Sequence, residues 1–254
     1  MAQEKYVAYV GTYTHENSIG IHVYDIDMEK GKLTERSVAP ISNPSNIAVA
    51  HSGKYLYSIE DEGVASFSID ENGDLTKINQ AWIGGMRACY VEIDTNDRYL
   101  FLAGFHDGKV TMMRLNEDGS IAGIADGIFH QGIGKSSVEK RMDPRVACTK
   151  LTPDEKYLCA VDWGLNQIKI YEIDYADGKL HLYDILRCPF SSAPRRICFS
   201  KDGKYAYVLE EATNIVEIYT YELHNGKPVF EKVADTSVQK KEDPLASGAA
   251  MEFS

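Results

Sequence analysis

Nowhere in the 254 residues is there an uninterrupted apolar run approaching the ~20 residues of a membrane span. The opening MAQEKYVAYVG has no apolar stretch followed by a cleavage signal, and a cytoplasmic protein is expected. Positive charge is also scarce: 27 Lys and Arg stand against 38 Asp and Glu, a net charge of −11. That balance argues against nucleic acid or an acidic membrane as partner. It permits an anionic ligand only where basic residues cluster locally. The five cysteines, Cys89, Cys148, Cys159, Cys188 and Cys198, are odd in number and lack metal-type spacing. They read as buried free thiols of a reducing compartment. His15, His22, His51, His130, His181 and His224 are scattered without ligand spacing, so no metal or other cofactor is expected. Gly132-Ile133-Gly134-Lys135-Ser136 looks like the end of a phosphate-binding loop. Phe129 stands where that motif needs its first glycine and no helical pattern follows, so nucleotide binding is excluded.

What is present is a repeat. NPSNIAVAHSGKYLYSIEDE (43–62), MRACYVEIDTNDRYLFLAGFHD (86–107), DPRVACTKLTPDEKYLCAVDWG (143–164) and SAPRRICFSKDGKYAYVLEEATN (192–214) share one plan. Each has a turn entry, an apolar strand, a polar hairpin turn and a tyrosine-marked second strand. VASFSID, VTMMRL, IKIYEID and VEIYTYE then supply a third strand, each followed by a turn and a short fourth strand. The marker tyrosines Tyr55, Tyr99, Tyr157 and Tyr205 lie 44 to 58 residues apart, the period of four-stranded propeller blades. No amphipathic helix of any length is visible. The expected fold is an all-β propeller of four-stranded antiparallel blades, about five blades' worth, in one domain over residues 1–254. The first unit enters at what reads as a second strand. The last, ASGAAMEFS, stops where a hairpin turn would begin, so a chain incomplete at its C-terminus is expected.

In the fourth copy, Ile197, Phe199, Tyr205, Tyr207 and Leu209 form the apolar half of a period-2 alternation about the turn Ser200-Lys201-Asp202-Gly203. Antiparallel pairing brings the start of one strand beside the end of the other. Arg195 and Arg196 are thereby set next to Glu210 and Glu211, as a site or as a structural ion-pair cluster. Arg145 and Arg87 occupy equivalent edges of the preceding copies, and the four arginines are expected to converge on one opening. His106 and Asp107 end the second copy's second strand, and a histidine can move protons near neutrality. Glu60, Asp61 and Asp162 end second strands too and read as edge carboxylates. The loop from Gly123 to Asp143 is the longest insertion, with Lys135, Lys140 and Arg141 as a solvated charge run.

VGTYTHENSIGIHVYDID, NPSNIAVAHSGKYLY, FHQGIGKSSVEKRMDPRVACTKLTPDEKYLCAVD and APRRICFSKDGKYAYVLEEATNIVEIY together resemble the seven-bladed lactonase family. That family includes bacterial 6-phosphogluconolactonases and fungal carboxymuconate-lactonizing enzymes, and the resemblance spans essentially the whole chain in order. It implies a site of histidine, arginine and glutamate at one mouth of the propeller channel. The arginine of the family's G-P-R-H motif matches Arg195, and the glutamate of its N-E pair matches Glu211. Its H-x-H histidines match Arg145 and Ala147, and the last position of G-P-R-H is Arg196. A further family arginine falls beyond Ser254. The resemblance implies hydrolysis of a small anionic sugar lactone, most concretely 6-phosphogluconolactone. Arg195 would face the developing oxyanion or the phosphate, Glu211 would handle water, and His106 is the next candidate base. Arg145, Arg196, Arg87, Glu210 and Asp107 are candidate substrate contacts. With the family histidines replaced, a sugar-phosphate binding protein and a protein-interaction scaffold are the alternatives.

Overall fold

The computed structural model describes residues 6–15, 17–132, 143–239 and 247–253; Gly134, Lys135, Ser136, Lys140 and Arg141 lie outside these. Among the described residues the chain is all β, with five antiparallel sheets in chain order. The first sheet has three strands, β1 (Tyr6–Val10), β2 (Gly20–Asp27) and β3 (Lys32–Pro40). The second has four: β4 (Ile47–Val49), β5 (Tyr55–Glu60), β6 (Gly63–Ile69) and β7 (Leu75–Ala81). The third has β8 (Tyr90–Ile93), β9 (Tyr99–Gly104), β10 (Lys109–Leu115) and β11 (Ile121–Phe129). The fourth has β12 (Val146–Leu151), β13 (Tyr157–Asp162), β14 (Gln167–Asp174) and β15 (Lys179–Arg187). The fifth has β16 (Pro194–Phe199), β17 (Tyr205–Glu210), β18 (Ile215–His224) and β19 (Lys227–Ser237). Every sheet is a simple meander, as short turns between consecutive strands require. No described helix is long and apolar enough to cross a membrane.

The chain divides into two compact units, Met1–Leu100 with Met113–Ile124, and Phe101–Met112 with Ala125–Ser254. In the first, Ile21, Ala39, Ile41, Leu56, Ala65 and Phe67 form a core cluster. Each isoleucine, leucine or phenylalanine among them contributes roughly 1.5–3 kcal/mol on burial. Strand tyrosines, one of them the marker Tyr157, tie three of the sheets to a later hairpin. Tyr9 donates to the Gly73 carbonyl at 2.8 Å and Tyr57 to Gly119 at 3.1 Å. In the second unit, Tyr157 donates to Gly226 at 3.2 Å. The hairpin turn at Gly119 has φ +78°, and a Cβ there would sit 2.2 Å from the Tyr55 ring, so only glycine fits.

Three details depart from the sequence reading. The fourth strands are not short: β11 and β15 run nine residues each and β19 eleven, and β15 and β19 pair along the whole of long third strands. The first part of the supposed insertion after Gly123 is therefore strand, up to Phe129. In β17 the alternation is shifted: Ala206 and Val208 are fully buried while Tyr205 is 39% exposed. Strands β9 and β13 are buried at every position, so apolarity there stops marking a single face. Met251 and Phe253, in the last described stretch, lie against the fifth sheet. The Cys198 thiol meets the Met251 carbonyl at 3.0 Å and the Tyr207 ring packs edge-on to Phe253. All five cysteines are free, with Cys148, Cys159 and Cys198 buried.

Candidate active site

Two residues after the start-of-repeat turn, the first strand of the fifth sheet carries a β-bulge. Pro194 faces Glu210 and Arg196 faces Leu209, leaving Arg195 as the extra residue. The fourth sheet has the same irregularity between Val146 and Cys148, at Ala147. A bulge frees a residue from the ladder and re-aims its side chain. Here it turns the half-buried Arg195 toward Glu211, whose Oε2 lies 3.4 Å from Nη1. The Glu211 amide bonds the Ala193 carbonyl at 3.0 Å, which fixes the residue just past the end of β17.

Around this pair the second unit assembles three further groups. The Trp163 indole Nε1 donates to the same Glu211 Oε2 at 2.8 Å. The Phe105 ring lies 5.8 Å from the Trp163 ring, tilted by 59°. Over that one phenyl ring stand two guanidinium groups, Arg145 at 5.2 Å and Arg195 at 5.5 Å from its centroid. Such stacking orients the cations and leaves their N–H edges for a ligand. Among the described residues no carboxylate pairs with the Arg145 guanidinium in an ion pair. Arg145 is itself fixed through its backbone: its amide donates to Asp162 Oδ1 at 3.0 Å and its carbonyl accepts from the Trp163 amide at 2.8 Å. Asp162 is fully buried, and its other oxygen meets His130 Nδ1 at 2.7 Å.

The remaining candidates fall elsewhere. Exposed His106 meets Phe105 edge-on, at 6.0 Å between centroids, placing it at the margin of the cluster. Asp107 folds back over Gly104, with Oδ1 2.4 Å from where a Cβ on that glycine would be. Arg196 is half-buried, pairs in register with Leu209, and lies near enough to favour the ionised form of the Cys198 thiol. Burial dominates that thiol and pushes it up to about 12. Glu210 is fully buried beside Cys188 and Glu217, where burial raises it to about 7, instead of facing the arginines. Arg87 belongs to the first unit. There it pairs with Asp61 at 3.3 Å, donates to Ser45 Oγ at 2.9 Å and to the Asn43 carbonyl, and stacks on Tyr13 at 5.4 Å. It lines a cleft of about 490 Å³ together with Glu60, Asp61, Trp82 and Met86.

Phe105 and Trp163 carry no sequence motif for this role. They were nevertheless findable, because Asp61, Phe105, Trp163 and Glu211 each follow the last residue of a second strand. That repeat position delivers its side chain to the same sheet edge in every copy.

Sheets of this repeat with such an edge define a class: the chain belongs to the lactonase family of seven-bladed β-propellers, whose family model matches residues 7–252. Among characterised relatives, the 6-phosphogluconolactonase of Bacillus subtilis (strain 168) is 35% identical over 223 residues, 85% of this chain and 63% of that protein. An uncharacterised protein of Staphylococcus saprophyticus is 33% identical over 84% of this chain and 63% of its own length. Among solved structures, the periplasmic gluconolactonase of Pseudomonas aeruginosa superposes with a TM-score of 0.83 at 26% identity, covering 93% of this chain and 69% of that one. The chain thus spans a little under two thirds of the curated relatives it matches.

Proposed function

We propose that the chain hydrolyses a small anionic sugar lactone, most concretely 6-phosphogluconolactone to 6-phosphogluconate, a step of the pentose phosphate pathway. The observation that carries this reading is the pair of guanidinium groups on the Phe105 ring, beside a glutamate fixed by Trp163. Identity to the Bacillus enzyme supports the reaction class. Arg145, without a carboxylate partner among the described residues, holds the phosphate as a planar cation suited to it. Arg195 faces the lactone carbonyl and stabilises the oxyanion that forms there. Glu211 has lone pairs beyond those used by Trp163 and Arg195, and these position the attacking water. The water oxygen bonds to the carbonyl carbon as its proton passes to Glu211, or to His106 at the margin of the cluster. Collapse of the tetrahedral adduct breaks the ring C–O bond. The departing ring oxygen takes up the proton held by the base, giving the hydroxyl, and the new carboxylic acid releases its own proton to solvent to become the carboxylate. The five free thiols support a cytoplasmic setting.

A binding role without turnover is the second reading, favoured by Arg145 and Ala147 standing where the family has histidines. Lactone consumption by the purified chain, with spontaneous opening subtracted, separates the two. Turnover is expected to fall by a factor on the order of 10²–10³ in Arg195→Ala. Arg145→Ala is expected to raise KM for the phosphorylated lactone and leave the unphosphorylated lactone unaffected. No turnover together with phosphate competition at Arg145 establishes the binding role. Turnover within twofold of wild type in Arg195→Ala refutes the mechanism.

A further inference from the structure

The repeat places the same three positions together in the fourth and fifth sheets. In the fourth they are the residue following β11, the last residue of β13, and the residue opposite Ala160 on β14: His130, Asp162 and Lys169. In the fifth they are the residue following β15, the last residue of β17, and the residue opposite Val208 on β18: Cys188, Glu210 and Glu217. The backbone equivalence is close. The His130 amide bonds the Gly108 carbonyl at 2.8 Å, and the Cys188 amide bonds the Asn166 carbonyl at 3.0 Å, each acceptor directly preceding a third strand.

The chemistry of the two places differs. In the fourth sheet the buried carboxylate of Asp162 is bonded to an imidazole and has an ammonium group nearby. In the fifth, a thiol and two carboxylates face each other, with all donor atoms within 4.8 Å of one another. Glu210 is fully buried and neither of its oxygens makes a hydrogen bond of full geometry, although the Ser192 hydroxyl and the Cys188 thiol lie close enough to favour its ionised form. The adjacent Ser192 hydroxyl is also fully buried, with no near partner beyond that carboxylate. A buried carboxylate in that condition costs several kcal/mol unless something cationic or protic meets it. Glu217, 1% exposed, is held from behind: Tyr219 OH donates to Oε2 and Lys232 Nζ to Oε1, each at 2.6 Å. Each of those oxygens retains a lone pair directed elsewhere. Outer groups that orient a carboxylate in this way are typical of metal ligands.

We propose that Cys188, Glu210 and Glu217 form a binding site for one divalent transition-metal ion of the zinc class. Sulfur with two carboxylate oxygens is a donor set zinc accepts, and Ser192 Oγ or a water completes a tetrahedron. Zinc ligands lie about 2.0–2.3 Å from the ion. The three donors therefore need to draw inward by only about an ångström from their present spread. Three anionic donors and a dication leave one negative charge, against which Lys232 stands at 2.6 Å from Glu217 while also pairing with Asp235 at 2.9 Å. No spacing motif announces the site, because its ligands come from the ends and middles of separate strands. The site does not depend on the lactonase reading.

The test is metal content and cobalt spectroscopy on the chain after incubation with zinc or cobalt(II) and exhaustive dialysis. The expected result is one zinc per chain, and a thiolate-to-cobalt charge-transfer band that disappears in Cys188→Ala and persists in Cys89→Ala. Glu210→Gln is expected to weaken zinc by a factor on the order of 100 or more in chelator competition. Less than a tenth of an equivalent of zinc on the wild-type chain, with no cobalt band, overturns the proposal whether or not the variants fold. A band that survives Cys188→Ala overturns it as well. The same holds for wild-type zinc affinity in Glu210→Gln.

Discussion

Removing the Asp162 carboxylate tests how the candidate site is held. Its Oδ2 meets His130 Nδ1 at 2.7 Å with both side chains fully buried, and its Oδ1 accepts from the amides of Arg145 and Leu165 at 3.0 Å each. Asp162→Ala strands the imidazole and both amides away from water. Leaving a buried donor unsatisfied costs about 1–3 kcal/mol, and three are left here, so a loss of at least about 3 kcal/mol is expected. Against a total of about 5–15 kcal/mol, that is a large fraction. Asp162→Asn keeps an oxygen for the two amides. It forces His130 to present Nδ1 as acceptor and to carry its proton on Nε2, which is buried without a partner. One unsatisfied donor costs about 1–3 kcal/mol, so the asparagine variant is expected to lose about 2 kcal/mol. Urea unfolding followed by circular dichroism measures both. Because the Arg145 amide is one of the groups released, the alanine variant is also expected to lose phosphate competition at subdenaturing conditions. If Asp162→Ala costs less than about 1 kcal/mol and leaves phosphate competition intact, the carboxylate does not hold the site, and the reasoning fails.

Trp163→Phe keeps a ring against Phe105 but withdraws the donor to Glu211; lactone turnover is expected to drop up to about tenfold, with the fold unchanged by circular dichroism. Gly119→Ala puts a Cβ into the Tyr55 ring at a φ of +78°; it is expected to cost about 2–3 kcal/mol, read as a melting temperature roughly 5–10 °C lower. Burial lowers the His130 pKa below its ordinary 6.5, outweighing the opposite pull of Asp162. The folded chain then binds fewer protons than the unfolded chain below about pH 6.5, so stability present above that value is lost as pH falls. Glu210, raised to about 7 by burial, acts in the opposite sense over part of this range. The His130 contribution is therefore read as the difference between wild-type and His130→Gln melts from pH 7.5 to 5, with the wild type expected to lose relatively more stability as pH falls.

The repeat was legible in the primary structure because a four-stranded meander needs the same turn glycines and strand tyrosines each time it recurs. The markers Tyr55 and Tyr157, each first in its second strand, bond carbonyls in later hairpin turns, at Glu117 and Gly226, and Tyr9 and Tyr57 make like bonds from other strand positions. Alternation was less informative in strands such as β13, where burial on both faces leaves no polar phase to read. Arg195 beside Glu211 followed from antiparallel pairing alone, and the three-dimensional arrangement keeps that pair.

Residue order therefore determined the all-β class, the sheet sequence and the hairpin that joins arginine to glutamate, since these depend on periodicity and local turns. Only tertiary structure decided which neighbours share a surface. It set Arg145 with Arg195 on one phenyl ring, sent Glu210 inward to Cys188 and Glu217, and tied Arg87 to Asp61. Those outcomes turn on a one-residue bulge and on contacts between strands far apart in the chain, and no local pattern encodes either.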